Sequence, residues 1–312
     1  MSKVIVEKSS KKRYIGILLA ALAGVLYGIS SFTAKQSYIG GATAIVITFL
    51  RNLTAVLLLF AYNNTRKIRI KLPGRMLCEL AFAALFISFL VPVFLYESLQ
   101  YIPSGLTFSV NYSYPILLTL IYVFAFHEKV NARKCIATFL SVIGIWVIMF
   151  SAKGANVKGV LLAVGSGVCY AIYLIIVDRT SIKALEGTVC SMYCSLFSCF
   201  YLFVFGMVRG ENMFGTTRAG LPWIILTGII VVCLGNALIP EAIKRVGPTT
   251  VSILGILEPL TSLLISIMLF GDVITGRMFI GIIMILIGTM LIIIERGNSN
   301  EQRELYNPSS GE

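Results

Sequence analysis

Hydrophobic positions along this chain fall in long, nearly unbroken blocks rather than in the alternating or one-sided patterns of soluble elements. Ten blocks stand out, at 14–34, 42–62, 76–97, 104–126, 132–151, 159–178, 188–208, 221–241, 248–270 and 277–295. Crossing the hydrocarbon core of a bilayer takes roughly 20 mostly apolar residues at about 1.5 Å of helical rise each. The pattern therefore predicts an all-α integral membrane protein of ten transmembrane helices. The first block is too long for a signal-peptide core, lacks a small-residue cleavage site and is followed by nine more spans, so it is read as a span. The stretches 1–13 and 296–312 are polar and are read as tails.

Composition agrees. Of 312 residues, 57% are hydrophobic and only 13% charged, too few polar groups to cover a soluble domain of this size. A net charge of +12 in a soluble protein would point to nucleic acid. Placing the N-terminus in the cytoplasm and alternating the loops puts nineteen basic residues inside and six outside, with Arg51 within a span. The charge is thus explained by the positive-inside rule, with both termini cytoplasmic and the plasma or inner membrane as location. No nucleic-acid partner is expected; the bilayer itself is the partner, and nothing in the sequence requires more than a monomer. Seven cysteines with no C-x-x-C pair do not form a disulfide framework or a zinc site and are read as packing residues.

The chain repeats itself. Glu97, Pro115, Glu128, Arg133 and Gly144 recur 144 residues later as Glu241, Pro259, Asp272, Arg277 and Gly288. Gly16, Ala20, Gly24, Tyr27 and Gly28 recur at 143 residues as Gly159, Ala163, Gly167, Tyr170 and Ala171. This predicts two five-helix repeats, 14–151 and 158–295. An odd number of crossings per repeat makes the second inverted relative to the first, the arrangement of many secondary transporters. The small residues at every fourth position give each repeat a smooth face for close helix packing.

These features resemble the EamA family of the drug/metabolite transporter superfamily. The likeness is carried by the G-x-x-x-G-x-x-x-[GA] face opening each half and by the end of each half, which reads YSYP…HEK…IGIW and ILEP…GDV…IGTM. It covers about residues 14–294. It implies a ten-helix carrier with cytoplasmic termini and a central cavity between the halves, of a kind that exports amino acids, nucleosides, vitamins or related metabolites. Asp272 in place of the usual Glu, and Arg51 within the second span, depart from the family pattern.

Ionisable groups inside spans are costly, by at least about 2.5 kcal/mol at the centre on insertion scales, so they mark candidate sites. Glu258 sits ten residues into its span, about 15 Å deep at helical rise, with Pro259 loosening the helix behind it. Such a carboxylate suits proton coupling or a substrate amine; a structural hydrogen bond to a neighbouring helix is the alternative. Arg51 lies mid-span and is read either as a substrate-carboxylate contact or as the ion-pair partner of a carboxylate such as Glu258. Asn111, Tyr112 and Asn236, with Tyr114, supply neutral hydrogen-bonding groups at depth, and the repeat-related Tyr27 and Tyr170 are candidates for lining the same space. Glu97 and Glu241 are gate candidates, Pro115 and Pro259 hinge candidates, and Glu128 and Asp272, at helix ends, are read as capping or loop-ordering residues.

Enzymatic chemistry has little to stand on. His127 is the single histidine, no metal-ligand motif surrounds it, and neither a phosphate loop nor a nucleophile elbow is present. No cofactor or metal is expected. The sequence thus predicts a secondary active exporter of a small metabolite such as an amino acid, working by alternating access of two inverted halves, with protons as the candidate coupling ion. The alternative is a membrane-embedded ligand-binding sensor or accessory subunit that moves nothing.

Overall fold

The structure is a computed structural model that describes residues 2–127, 132–149, 156–216 and 218–306. The side chains of 2–13, 126, 134, 149, 236, 237, 240, 244, 247–249, 252 and 295–306 fall outside the description. Glu128 lies outside the described residues altogether.

The described chain is helical throughout. Its elements are α1 (Ser2–Ile39), α2 (Ala44–Thr65), α3 (Gly74–Ala84), α4 (Val91–Ser98), α5 (Ser104–Asn111), α6 (Tyr114–Phe126), α7 (Ala132–Met149), α8 (Val157–Arg179), α9 (Gly187–Val208), α10 (Leu221–Thr227), α11 (Asn236–Leu254), α12 (Leu257–Phe270) and α13 (Gly276–Tyr306). A π-helical turn at Leu85–Leu90 joins α3 to α4, and a second at Gly228–Gly235 joins α10 to α11. Among the described residues, seven helical stretches are long and apolar enough to cross a membrane, and Cys135–Ile148, Leu221–Gly235 and Leu257–Phe270 are shorter apolar helices.

The molecule is apolar outside, unlike a soluble protein, and buries hydroxyls among its apolar core. Leu57, Phe82, Phe124, Phe139, Trp146, Phe200 and Met268 are exposed, whereas Ser31, Thr33, Ser37, Thr48, Ser98, Thr107 and Ser109 are buried. Most of those hydroxyls donate to a carbonyl three or four residues back, as Ser31 does to Gly28 and Thr48 to Ala44. Such bonds satisfy a side chain where water is excluded. This is a multi-pass membrane protein.

Local irregularities recur at the spacing found in the sequence. The helix is interrupted at Tyr112–Ser113 between α5 and α6, and at Gly255–Ile256 between α11 and α12. Each interruption precedes a proline, Pro115 or Pro259, in the first turn of the next helix. Proline has no N–H to donate backward and disfavours helix in the residue before it, but it is tolerated in a first turn. Both α6 and α12 end in a left-handed residue, His127 (φ 52°) and Gly271 (φ 63°).

Helix α1 packs against α11 and α12, α8 against α4, α5 and α6, α2 against α9, and α7 against α13. Small residues set the closest approaches. A β-carbon at Gly28 would lie 2.5 Å from Thr261 Cβ and 2.8 Å from the Glu258 carbonyl oxygen; one at Gly167 would lie 3.3 Å from the Asn111 carbonyl. The smooth face of each repeat thus seats against the helix interruption of the other. Gly28→Leu is expected to overpack this seam by about 1–3 kcal/mol, seen as a lower melting temperature in detergent, whereas Gly276→Leu, at an exposed position where a β-carbon meets nothing within 4 Å, should leave it unchanged.

One boundary differs from the sequence expectation. The polar stretch 242–247, expected to separate two spans, is helical, and α11 runs through it to Leu254. Residues 241–246 contain good helix formers, and Arg245 pairs with Glu241 one turn back at 2.7 Å, a spacing that supports a helix.

Candidate functional site

Glu258 is the second residue of α12, in the turn that restarts the helix after the Gly255–Ile256 interruption. Its N–H is already bonded to the Gly255 carbonyl, so the interruption projects the side chain rather than an unsatisfied backbone. The carboxylate is half-buried and, among the described residues, has neither hydrogen bond nor ion pair. Tyr27 from α1, Tyr112 and Tyr114 from the α5–α6 junction and Tyr170 from α8 all lie within electrostatic reach of it. The tyrosines contact one another. The rings of Tyr114 and Tyr170 meet edge-on at 4.5 Å between centroids, those of Tyr112 and Tyr114 at 5.8 Å, and Tyr173 stacks on Tyr170 at 6.1 Å. The hydroxyls of Tyr27, Tyr114 and Tyr170 have no partner among the described residues. Tyr114 stands 144 residues before Glu258, so the two interruptions place a phenol and a carboxylate at equivalent positions.

Arg51, on α2, is only 7% exposed. Its Nη1 donates to the Tyr96 hydroxyl at 2.6 Å, its guanidinium lies 5.2 Å from the centroid of that ring, and its buried Nε has no partner. The ion pair with Glu258 is not formed: no carboxylate lies within 4.0 Å of the guanidinium among the described residues. The Tyr27 ring fits against Gly235 in the second π-helical turn. Any larger residue at 235 would displace that ring. Sequence reasoning missed Tyr96, whose only visible signal was its place beside Glu97.

Asn111 closes α5 with its Oδ1 buried and unpartnered. Tyr112, in the interruption itself, is buried, and its carbonyl accepts from Thr289 Oγ1 at 3.3 Å. Asn236 opens α11 directly after the π-helical turn, but its side chain lies outside the described residues. Pro115 and Pro259 each stand just after a helix interruption.

Comparison with known proteins decides what kind of molecule this is. The model of the EamA-like transporter family matches residues 14–150 and again 157–294. The chain belongs to the EamA-like transporter family. An uncharacterized transporter of Clostridium kluyveri is 24% identical over 97% of this chain and 99% of its own length. The threonine/homoserine exporter RhtA of Salmonella typhimurium is 23% identical over 88% of this chain and 89% of its own. A crystal structure covering 90% of this chain and 96% of that protein superposes with a TM-score of 0.62 at 16% identity, a likeness of fold alone.

In this EamA protein the other acidic candidates, Glu97, Glu241 and Asp272, are each engaged by another group. Glu97 accepts from Gln100 at 3.1 Å and Glu241 from Arg245 at 2.7 Å, each one turn along its own chain. Asp272, expected to cap a helix or order a loop, pairs with Lys35 of α1 at 3.0 Å and accepts from Ser266 at 2.6 Å; Lys35 also lies 4.0 Å over the Phe270 ring. Asp272 therefore orders its loop through a tertiary contact that fastens α1 to the end of α12. Lys35→Met is expected to cost about 1 kcal/mol, less at high salt, and the swap Lys35→Asp with Asp272→Lys should restore most of the melting temperature. Among the described residues no three His, Cys, Asp or Glu side chains are grouped to hold a metal, and the seven cysteines are free thiols.

Proposed function

We propose that this EamA protein is a secondary active exporter of a small zwitterionic metabolite such as an amino acid, bound between Arg51 and Glu258. The observation that carries the reading is that these two opposite charges, both deep in a membrane protein, do not neutralise each other. Leaving either charge unpaired in the bilayer interior costs about 2.5–3.5 kcal/mol on insertion scales. A ligand with a carboxylate at one end and an amine at the other removes both costs at once. The name of the RhtA relative, a threonine/homoserine exporter, agrees with a substrate of that class.

In this reading the chain crosses the membrane ten times as two inverted halves, 14–151 and 158–295, with both termini in the cytoplasm. The interruptions before Pro115 and Pro259 lie at equivalent places in the two halves, where rocking of one half against the other opens the site to alternate sides. Protons are the coupling ion, carried by Glu258 when the substrate leaves. The binding groups are otherwise a few hydroxyls and amides, which suits a carrier rather than an enzyme.

The test is counterflow in liposomes containing the purified protein. Labelled threonine, homoserine, leucine and phenylalanine are each offered against an excess of the same unlabelled compound trapped inside. Accumulation of at least one is expected. Saturable binding of these compounds with no flux would replace the transport reading by a ligand-binding sensor.

A further inference from the structure

We infer that Glu258 and the tyrosines around it form an ammonium pocket complete in itself, which binds primary amines that carry no carboxylate. The inference rests on the transport site proposed above but concerns its amine end alone. Three observations converge on it. The Glu258 carboxylate has no cationic partner among the described residues, so the charge is left for something brought from outside. Three phenol hydroxyls from separate helices, Tyr27 on α1, Tyr114 on α6 and Tyr170 on α8, likewise have no partner among the described residues; α1 passes Glu258 so closely that a β-carbon at Gly28 would lie 2.8 Å from its carbonyl oxygen, and the Tyr114 and Tyr170 rings meet at 4.5 Å. Arg51, the one buried cation among the described residues, is turned to Tyr96.

The chemistry of these groups selects the ligand. A primary ammonium carries three N–H donors, and one carboxylate with neighbouring phenol oxygens offers acceptors for all of them. The charge–charge hydrogen bond is the strong one, and tyrosine rings add attraction for a cation and a surface for an apolar body. A metal ion is a poor match: Glu258 is the only carboxylate there among the described residues. Of the carbonyls beside the helix interruption, that of Gly255 already accepts from the Glu258 N–H. A quaternary ammonium keeps the ring attraction but forfeits every hydrogen bond, and so binds less well than the primary amine.

Four probes of one shape separate the possibilities: phenethylamine (amine only), 3-phenylpropionate (acid only), phenylalanine (both) and 2-phenylethanol (neither). Binding to the purified full-length protein is followed by thermal shift and by displacement of labelled phenylalanine or phenethylamine. Phenethylamine is expected to raise the melting temperature, and 2-phenylethanol and 3-phenylpropionate to have little effect. Glu258→Gln is expected to weaken phenethylamine about 10- to 100-fold, Glu258→Asp less, and Tyr170→Phe, which keeps the ring and removes the hydroxyl, by about threefold to tenfold. If Glu258→Gln does not fold, the phenylalanine substitutions at Tyr114 and Tyr170 carry the test. Stabilisation by 3-phenylpropionate but not by phenethylamine overturns the pocket, as does amine binding indifferent to all of these substitutions. The two readings fail separately. Phenethylamine binding without counterflow of any compound removes the transport reading and leaves the pocket. Phenylalanine counterflow that phenethylamine does not inhibit removes the pocket and leaves the transporter.

Discussion

Glu258→Gln is expected to abolish substrate counterflow while leaving the protein folded. Glutamine has nearly the shape of the carboxyl group and removes its charge. A structural carboxylate would be held by donors, and its loss would leave those donors unsatisfied at about 1–3 kcal/mol each. Glu258 has no such donors among the described residues, so the substitution has little structure to undo. Removing an unpaired charge from an apolar interior is favourable in itself. Transport, in contrast, loses both the charged partner for the substrate amine and the proton acceptor, and should fall by about 100-fold. The pH dependence of any residual flux would then belong to other groups. The measurement is counterflow rate per folded protein, with the melting temperature recorded for both forms. Full transport with the wild-type pH profile would remove Glu258 from the mechanism. A melting temperature lowered by many degrees would return it to a structural role.

What could be read from the sequence was whatever a single residue determines by itself. A mid-span proline removes a backbone donor in any fold, so Pro115 and Pro259 could be named as places where a helix is loosened; that the helix breaks there, while α11 runs through Pro240 and Pro248, depends on packing. A charge at depth is costly in any fold, so Arg51 and Glu258 could be singled out without knowing their neighbours. Partners were not legible, because they depend on how helices distant in sequence meet. Tyr96 looks like any interfacial tyrosine until α4 is placed beside α2, and Asp272 looks like any helix-end residue until α1 brings Lys35 to it. The π-helical turns left no mark: LFISFL and GIIVVCLG read as ordinary apolar helix. The gap between the blocks 221–241 and 248–270 pointed to a loop, yet α11 continues through it, Gly247–Pro248 included, and the helix is interrupted only at Gly255–Ile256. Breaker propensity is worth a few kcal/mol at most, and tertiary packing of α11 against α1 and α13 outweighs it.

Arg51→Met is expected to separate stability from function more sharply than any other change. Methionine preserves most of the apolar stem of this buried side chain and removes a guanidinium whose Nε is buried without a partner. The hydrogen bond from Nη1 to Tyr96 is lost, at about 1.5–3 kcal/mol for a bond to a charged group. Against this stands the cost of keeping the charge in the membrane interior, about 2.5–3.5 kcal/mol, and buried charges replaced by packed apolar side chains are often neutral or stabilising. The melting temperature should therefore stay level or rise. Binding of a zwitterion should weaken at least about tenfold, because its carboxylate loses the one cation available to it. Arg51→Lys should recover only part of this, since an ammonium lacks the planar fork that grips a carboxylate. The double variant with Glu258→Gln supplies the decisive comparison. If both charges hold one substrate, the second substitution removes less binding than it does alone, because the ligand is already displaced. Strictly additive losses would place the two residues at separate sites, and failure of the Arg51→Met variant to fold would make Arg51 a structural residue anchored on Tyr96.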